Sequence, residues 1–386
     1  MTKLIAYYEG DISVMSWLKK LLCVESIDFR KMPVSNDSAD YADLPSYISD
    51  ILYLDKPDII LASNVDGHEK PLLSIEFASC TPQYQHALQR FSRMLASASA
   101  DCPSIIIMAE KKRENGGDGK RIYSRSSALE YGAVKLMDTF GLPCFVFDWP
   151  TDEDFYLSFE EHTAFPPIND ISMAKLKEFI YACIDARKDL NYSDTLLRKG
   201  IVMELIDENR ARAYKKGVPS IENPSGGEGK SSVKLDLKNT SLLIDEISHI
   251  SPTHQKLMAG VSSFIVDREK SLVFYPSRVT AHAGDPYVGM IGYYDIAFTR
   301  SGRSTRERIH NLVAYADGVS MEEVLGVMNT FNAKTCPFAK EFAPSNSKKY
   351  NYHLKNGCKE TKSKPVRIYA ELADIVVFKD GVLIST

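Results

Sequence analysis

The stretch from Lys56 to Glu110, KPDIILASNVDGHEKPLLSIEFASCTPQYQHALQRFSRMLASASADCPSIIIMAE, constrains the fold more than any other part of the chain. Two β-rich apolar runs, Asp58 to Ser63 and Leu72 to Phe77, flank a polar segment with the turn dipeptide Asp66-Gly67, which reads as a hairpin with a longish loop. Asp58 lies nine residues before Gly67 and Glu76 nine after it, so a regular antiparallel register places the two acids opposite each other. Directly opposed residues have Cβ atoms roughly 4.5–5.5 Å apart. Like charges that close destabilise the pair unless a cation sits between them or one carboxyl is protonated.

Thr81-Pro82 then supplies a helix start, with a hydroxyl at the N-cap and proline at the first helical position. Tyr84, Leu88, Phe91 and Leu95 recur at helical spacing and predict the buried face. The remaining faces carry Gln83, Gln85, His86, Gln89, Arg90 and Arg93, so a polar and basic surface begins a few residues beyond Glu76. A third strand, Ser104 to Ala109, feeds Lys111, Lys112 and Arg113.

The order of strand with Pro-Asp, turn, strand with Glu, helix and strand resembles the PD-(D/E)xK nuclease superfamily, whose fold is restriction-endonuclease-like. The resemblance implies a metal site at Asp58 and Glu76, helped by the Phe77 backbone carbonyl, with Mg²⁺ as the cofactor. It departs from the family pattern where a lysine is expected two residues after the second acid, because Ala78 stands there. Gln83, Gln85, Gln89 and Arg90 on the following helix are candidates to replace it, with Gln85 and Arg90 placed in the catalytic set and Lys111 and Lys112 behind them. Glu9, Asp11 and Asp50 are further acids that a preceding helix could bring to the metal. The implied activity is Mg²⁺-dependent, site-specific hydrolysis of double-stranded DNA, as in type II restriction endonucleases. A structure-specific nuclease or resolvase of the same fold, or a DNA-binding protein that lost the chemistry, are the alternatives.

With 386 residues and 44% hydrophobic content, the chain can bury a large core. The expected architecture is a mixed α/β core over residues 1–150 with a large C-terminal elaboration or second domain over 151–386 for DNA recognition and dimerisation. No apolar run reaches the ~18 residues of a spanning helix, and the N-terminus MTKLIAYYEGD lacks the pattern of a signal peptide. Seven singly scattered cysteines form no disulfide framework, which points to a reduced, cytoplasmic setting. The net charge of −4 decides little, since phosphate contacts need only a local basic surface. Basic residues do cluster, in Lys111 to Arg125, Arg300 to Arg308 and Lys340 to Arg367, and the expected DNA contacts among them are Lys111, Lys112, Arg300, Arg303 and Arg306.

Along the chain, Lys3 to Tyr8 reads as a strand or helix start, and Ile12 to Leu22 and Tyr47 to Leu54 as helices. ENGGDGKR reads as a flexible loop, Ser127 to Phe140 as a helix and Pro143 to Phe147 as a strand. Asp152 to Pro167 reads as an irregular connection, Ile171 to Asp189 as a helix and Asp194 to Lys215 as another. The Gly, Pro and Ser content marks a flexible loop near 214–232. Its GGEGKS ends like a phosphate-binding P-loop, but Pro224 occupies the first glycine position and no strand leads in, so no nucleotide cofactor is expected. Arg300, Arg303 and Arg306 follow an apolar run and can grip phosphates or read guanine edges. Val366 to Tyr369, Asp374 to Phe378 and Val382 to Ile384 read as closing strands, the last two joined through Asp380-Gly381. The expected partner is double-stranded DNA, met by a homodimer if the target is palindromic.

Overall fold

The computed structural model describes residues 3–215, apart from 37, 66, 81, 83, 117 and 118, and beyond them the separate elements named below. The chain divides into two compact units, the first built on Met1–Pro219. Its order is β1 (Lys3–Tyr8), α1 (Ser13–Leu22), β2 (Asp28–Lys31), α2 (Ser46–Leu54), β3 (Ile59–Val65), β4 (His68–Ala78), α3 (Tyr84–Ser99) and β5 (Ser104–Met108). There follow β6 (Lys111–Gly116), β7 (Gly119–Ser124), α4 (Ala128–Phe140), β8 (Cys144–Phe147), α5 (Ile171–Ala186), α6 (Tyr192–Leu197) and α7 (Gly200–Ala213).

The architecture is mixed α/β. Six strands form one sheet in the order β2-β1-β3-β4-β5-β8. β3 runs antiparallel to both β1 and β4, whereas β4, β5 and β8 are mutually parallel. The central strands each carry a continuous buried stretch, five consecutive residues from Leu72 to Glu76 in β4 and all five of β5. A strand buried without alternation is covered on both faces. Helices α2, α3 and α4 pack side by side as one group, α1, α5 and α6 as another, and α7 lies against α4, α5 and β8.

The β3–β4 hairpin carries a feature that the sequence pattern conceals. Its strands run to Val65 and His68, which pair, so the connection is tighter than expected, and Gly67 takes the positive φ of 81° that it needs. A straight ladder from that turn would set Asp58 opposite Ile75. Instead the register shifts between Leu61 and Ala62, whose partners are Leu73 and Pro71, leaving Leu72 as an extra residue on β4. This β-bulge restores the pairing of Ile59 with Ile75, and continuing that register outward sets Asp58 against Glu76.

Several elements differ from the sequence reading. Within ENGGDGKR, expected as a flexible loop, residues 114–116 and 119–121 are strand, part of a separate two-stranded ribbon in which Lys111 pairs with Ser124 and Gly116 with Gly119. Asp194 to Lys215 is two helices, α6 and α7, interrupted at Arg198 and Lys199.

In the second unit the described strands are β9 (Asp236–Asn239), β10 (Ser271–Ser277), β11 (Asn311–Ala316), β12 (Asn351–Leu354), β13 (Gly357–Glu360), β14 (Ile375–Phe378) and β15 (Gly381–Ile384). They form one sheet ordered β13-β12-β15-β14-β11-β10-β9. The closing hairpin is present, with Val376 opposite Leu383. Val366 to Tyr369, expected as a strand, lies in a helix instead, α8 (Lys364–Leu372), whose Arg367, Ile368 and Leu372 are buried. Arg300, Arg303, Arg306 and residues 216–232 lie outside the described residues. Among the described residues no helix is long and apolar enough to cross a membrane.

Candidate active site at the base of the hairpin

Strand alternation decides which way Glu76 points. Ser74 donates a 2.7 Å hydrogen bond to Ser97 of α3, so Ser74, Glu76 and Ala78 share the α3 face of the sheet. Phe77 points the other way, into an aromatic cluster with Trp17, Phe165 and Trp149 at centroid distances of 5.1, 4.8 and 6.3 Å. That cluster pins the end of β4.

Glu76 is buried. Its Oε1 faces Arg90 Nε at 3.0 Å and pairs with Arg93 Nη1, both guanidinium groups being offered by α3. Arg93 also approaches Asp55 Oδ1 at 3.9 Å, and Ser92 Oγ donates to the other oxygen of that buried aspartate. Glu76 Oε2, in contrast, is buried with no hydrogen-bond partner. Such an atom carries the full desolvation cost of a polar group.

Asp58 lies just before β3 and is half-buried, and its Oδ2 accepts a 2.6 Å hydrogen bond from the Phe77 N–H. Burial lifts its pKa above the ordinary aspartate range, opposed by the Phe77 N–H and by the positive charges of Arg93 and Arg90. The carboxyl is therefore held where ionisation is costly, across the hairpin from an oxygen that lacks a donor. Antiparallel β3 begins where parallel β4, β5 and β8 end, so both acids lie at the carboxyl edge of the parallel strands, the usual place for ligands in open α/β sheets.

The other expected site residues divide. Arg90 does meet Glu76, and its Nη2 also reaches Cys80 Sγ at 3.8 Å. Gln85 is in the first turn of α3, and its side chain lies outside the described residues. Lys112 returns to the end of β4, donating to the Ser79 carbonyl at 2.7 Å and to Glu114 at 3.0 Å. Lys111 points elsewhere, with Nζ 5.5 Å from the Phe155 ring centroid. Glu9 pairs at 3.4 Å with the buried Lys56. The sequence reading did not assign roles to Arg93 and Asp55. The signal for Arg93 was available, because Arg90 and Arg93 stand three apart and share a helix face.

Whether Mg²⁺ suits these residues turns on donor atoms. Among the described residues no group of three or more His, Cys, Asp or Glu gathers. Mg²⁺ keeps several waters and is commonly held by only one or two carboxylates. Asp58 and the unpartnered Oε2 of Glu76 offer oxygen donors of that kind, on strands whose register continues to set the two residues opposite each other.

Comparison of the chain with protein-family models, curated proteins and solved structures finds no match. The first unit is a mixed α/β fold in which the buried Glu76 is clamped by two arginines of one helix and Asp58 precedes the neighbouring strand.

Proposed function

We propose that the first unit carries a Mg²⁺-dependent phosphodiesterase site and that the chain is a site-specific double-stranded DNA endonuclease of the PD-(D/E)xK kind. The observation that carries this reading is the buried, unpartnered Oε2 of Glu76, on a strand whose bulge-corrected register, continued by one pair, sets Glu76 against Asp58. The order of Pro-Asp strand, Glu strand, helix and parallel strand supports it as well.

Mg²⁺, when bound, supplies charge neutralisation at the phosphate and lowers the pKa of a water. The protein's own groups have separate tasks. Arg90 and Arg93 fix the Glu76 carboxylate through Oε1 and leave Oε2 without a partner. The Phe77 N–H orients Asp58 through Oδ2. Lys112, anchored on Ser79 just past the end of β4, brings an ammonium group to the edge where Ala78 leaves the family lysine missing. The second unit and the basic segments beyond residue 300 would supply recognition, and a palindromic target would call for a homodimer.

A second reading rests on the same clamp. Glu76 is already neutralised by two arginines and Ala78 offers no lysine, as expected of a DNA-binding protein that kept the site's shape without its chemistry. Incubating plasmid DNA with the protein and Mg²⁺ separates the readings. Discrete fragments that disappear in Asp58→Asn and Glu76→Gln support the endonuclease. Cutting restricted to branched substrates supports a resolvase, and retention of DNA in a gel without any cutting supports the inactive binder. Normal cutting by either variant overturns the site.

A further inference from the structure

A second cluster of charge lies two strands away at the same sheet edge, and the function proposed above does not use it. It begins with Arg125, which follows β7 and is 7% exposed. Arg125 donates to Glu130 Oε1 through Nε at 2.8 Å, to Asp148 Oδ1 through Nη2 at 2.8 Å and to the Met108 carbonyl through Nη1. Arg212 of α7 completes the frame, donating to Asp148 Oδ2 at 3.0 Å and to the Val146 carbonyl at 2.8 Å. These ties bind the ends of β5 and β8 to α4 and α7.

The frame surrounds a cavity of about 170 Å³. Its lining includes Arg125, Glu130, Arg212 and Ser127, with Lys111 and Lys215 among the exposed residues. Two of the lining residues each carry a buried atom with no hydrogen-bond partner, Glu130 Oε2 and Arg212 Nε. One is an acceptor and the other a donor. Glu130 itself is 3% exposed, so its free oxygen cannot turn out to bulk water. The cavity lining carries four cationic residues against two acids, Glu130 and the exposed Glu110, which stands 3.9 Å from Lys215.

A ligand that satisfies this lining needs negative charge for the lysines, an acceptor for Arg212 Nε and a donor for Glu130 Oε2. We infer that the cavity is a binding subsite for a phosphate group that still carries a proton, as hydrogen phosphate or a phosphate monoester monoanion. Its hydroxyl donates to Glu130 Oε2, one oxygen accepts from Arg212 Nε, and Lys111 and Lys215 hold the remaining charge. An internal phosphodiester or a sulfate dianion has no proton to donate and leaves Glu130 facing a like charge. The assignment does not depend on the endonuclease reading, since none of its residues belongs to the Asp58–Glu76 pair.

Calorimetric titration of the full chain at neutral pH and constant ionic strength tests it, with inorganic phosphate and then sulfate as probes. Phosphate is expected to bind at least roughly tenfold more tightly than sulfate. Arg212→Gln weakens phosphate binding by a similar factor, and Glu130→Gln brings the two anions level. Because Glu130 also pairs with the buried Arg125, Lys215→Glu serves as the variant that spares the fold, and it weakens phosphate binding at low salt. Equal affinity for the two anions in the unaltered protein, or no binding of either, overturns the inference. Short duplexes with 5′-phosphate or 5′-hydroxyl ends, compared near pH 6 where a monoester keeps its proton, identify the source. Tighter binding of the phosphorylated ends assigns a nucleic-acid terminus, and equal binding alongside a phosphate response assigns a free small phosphate.

Discussion

Asp58 is placed against its own solvation. Burial favours the protonated carboxyl, and the Phe77 N–H and the two α3 arginines offset that only in part. An acid whose folded pKa is raised binds its proton more tightly when folded, so the stability it contributes is greatest at low pH and declines as pH rises towards and through the folded pKa. Asp58→Asn removes the ionisation while keeping an oxygen for the Phe77 N–H. The variant should melt higher than the unaltered protein at pH 8 without divalent metal, the gap closing as pH falls towards the ordinary aspartate value of about 3.9. Mg²⁺ should narrow the gap from the other side by stabilising only the protein that can ionise. A melting temperature at pH 8 equal to or below that of the unaltered chain would count against this account of Asp58. For Glu76 the outcome depends on the replacement. Alanine leaves Arg90 and Arg93 without their carboxylate at a cost of about 1–3 kcal/mol, visible as a lower denaturation midpoint. Glutamine keeps one acceptor and should lose less, so a loss of cutting in Glu76→Gln reports on chemistry and not on folding.

At the level of elements, the site was partly legible because its parts are local. The Pro-Asp strand, the turn, the Glu strand and the amphipathic α3 each have a short-range signature, and Phe91 and Leu95 are buried as their spacing predicts. The bulge was not legible. Leu72 looks like any apolar strand residue, and only the tight turn at Gly67 makes an extra residue necessary to align the acids. Val366 to Tyr369 shows the opposite failure: a β-branched and aromatic run joined a helix whose buried face is Arg367, Ile368 and Leu372, because tertiary burial outweighed local propensity. The tie between α7 and the sheet is another contact without a sequence signal. Asn209 is fully buried, accepts from the Val146 N–H at 2.9 Å and donates to the Leu205 carbonyl at 3.0 Å, so it satisfies a backbone donor on edge strand β8. Asn209→Ala strands that N–H at a cost of about 1–3 kcal/mol. In a unit of this size each kcal/mol lowers the melting temperature by about 2–4 °C, which differential scanning calorimetry can resolve. An unchanged melting temperature would show that water replaces the side chain freely.

For the molecule as a whole, the acidic, proline-containing run of residues 152–167 looks in sequence like a connection leaving a finished core, and its contacts give it a different role. Phe165 is buried against Phe77 and Trp17, and the Trp17 indole donates to the Pro166 carbonyl at 2.8 Å. Trp149 donates to the Ser158 carbonyl at 2.8 Å, and the Arg113 N–H to that of Phe155 at the same distance. Further on, Tyr192 donates to the carbonyl of Leu72, the bulge residue itself. The run therefore closes over the face of the sheet opposite α3 and helps to hold the strand that presents Glu76. A fragment ending at residue 150 loses these partners and exposes Trp17, Phe77 and the edge of β8. It should lack a cooperative thermal transition and show broad, poorly dispersed amide resonances. A fragment ending at residue 215 keeps every one of these contacts and should melt in a single step and bind Mg²⁺ as the full chain does. Cooperative melting of the shorter fragment would mean that the strands and helices before residue 150 support the hairpin unaided, and that Phe165, Tyr192 and Asn209 are dispensable to it.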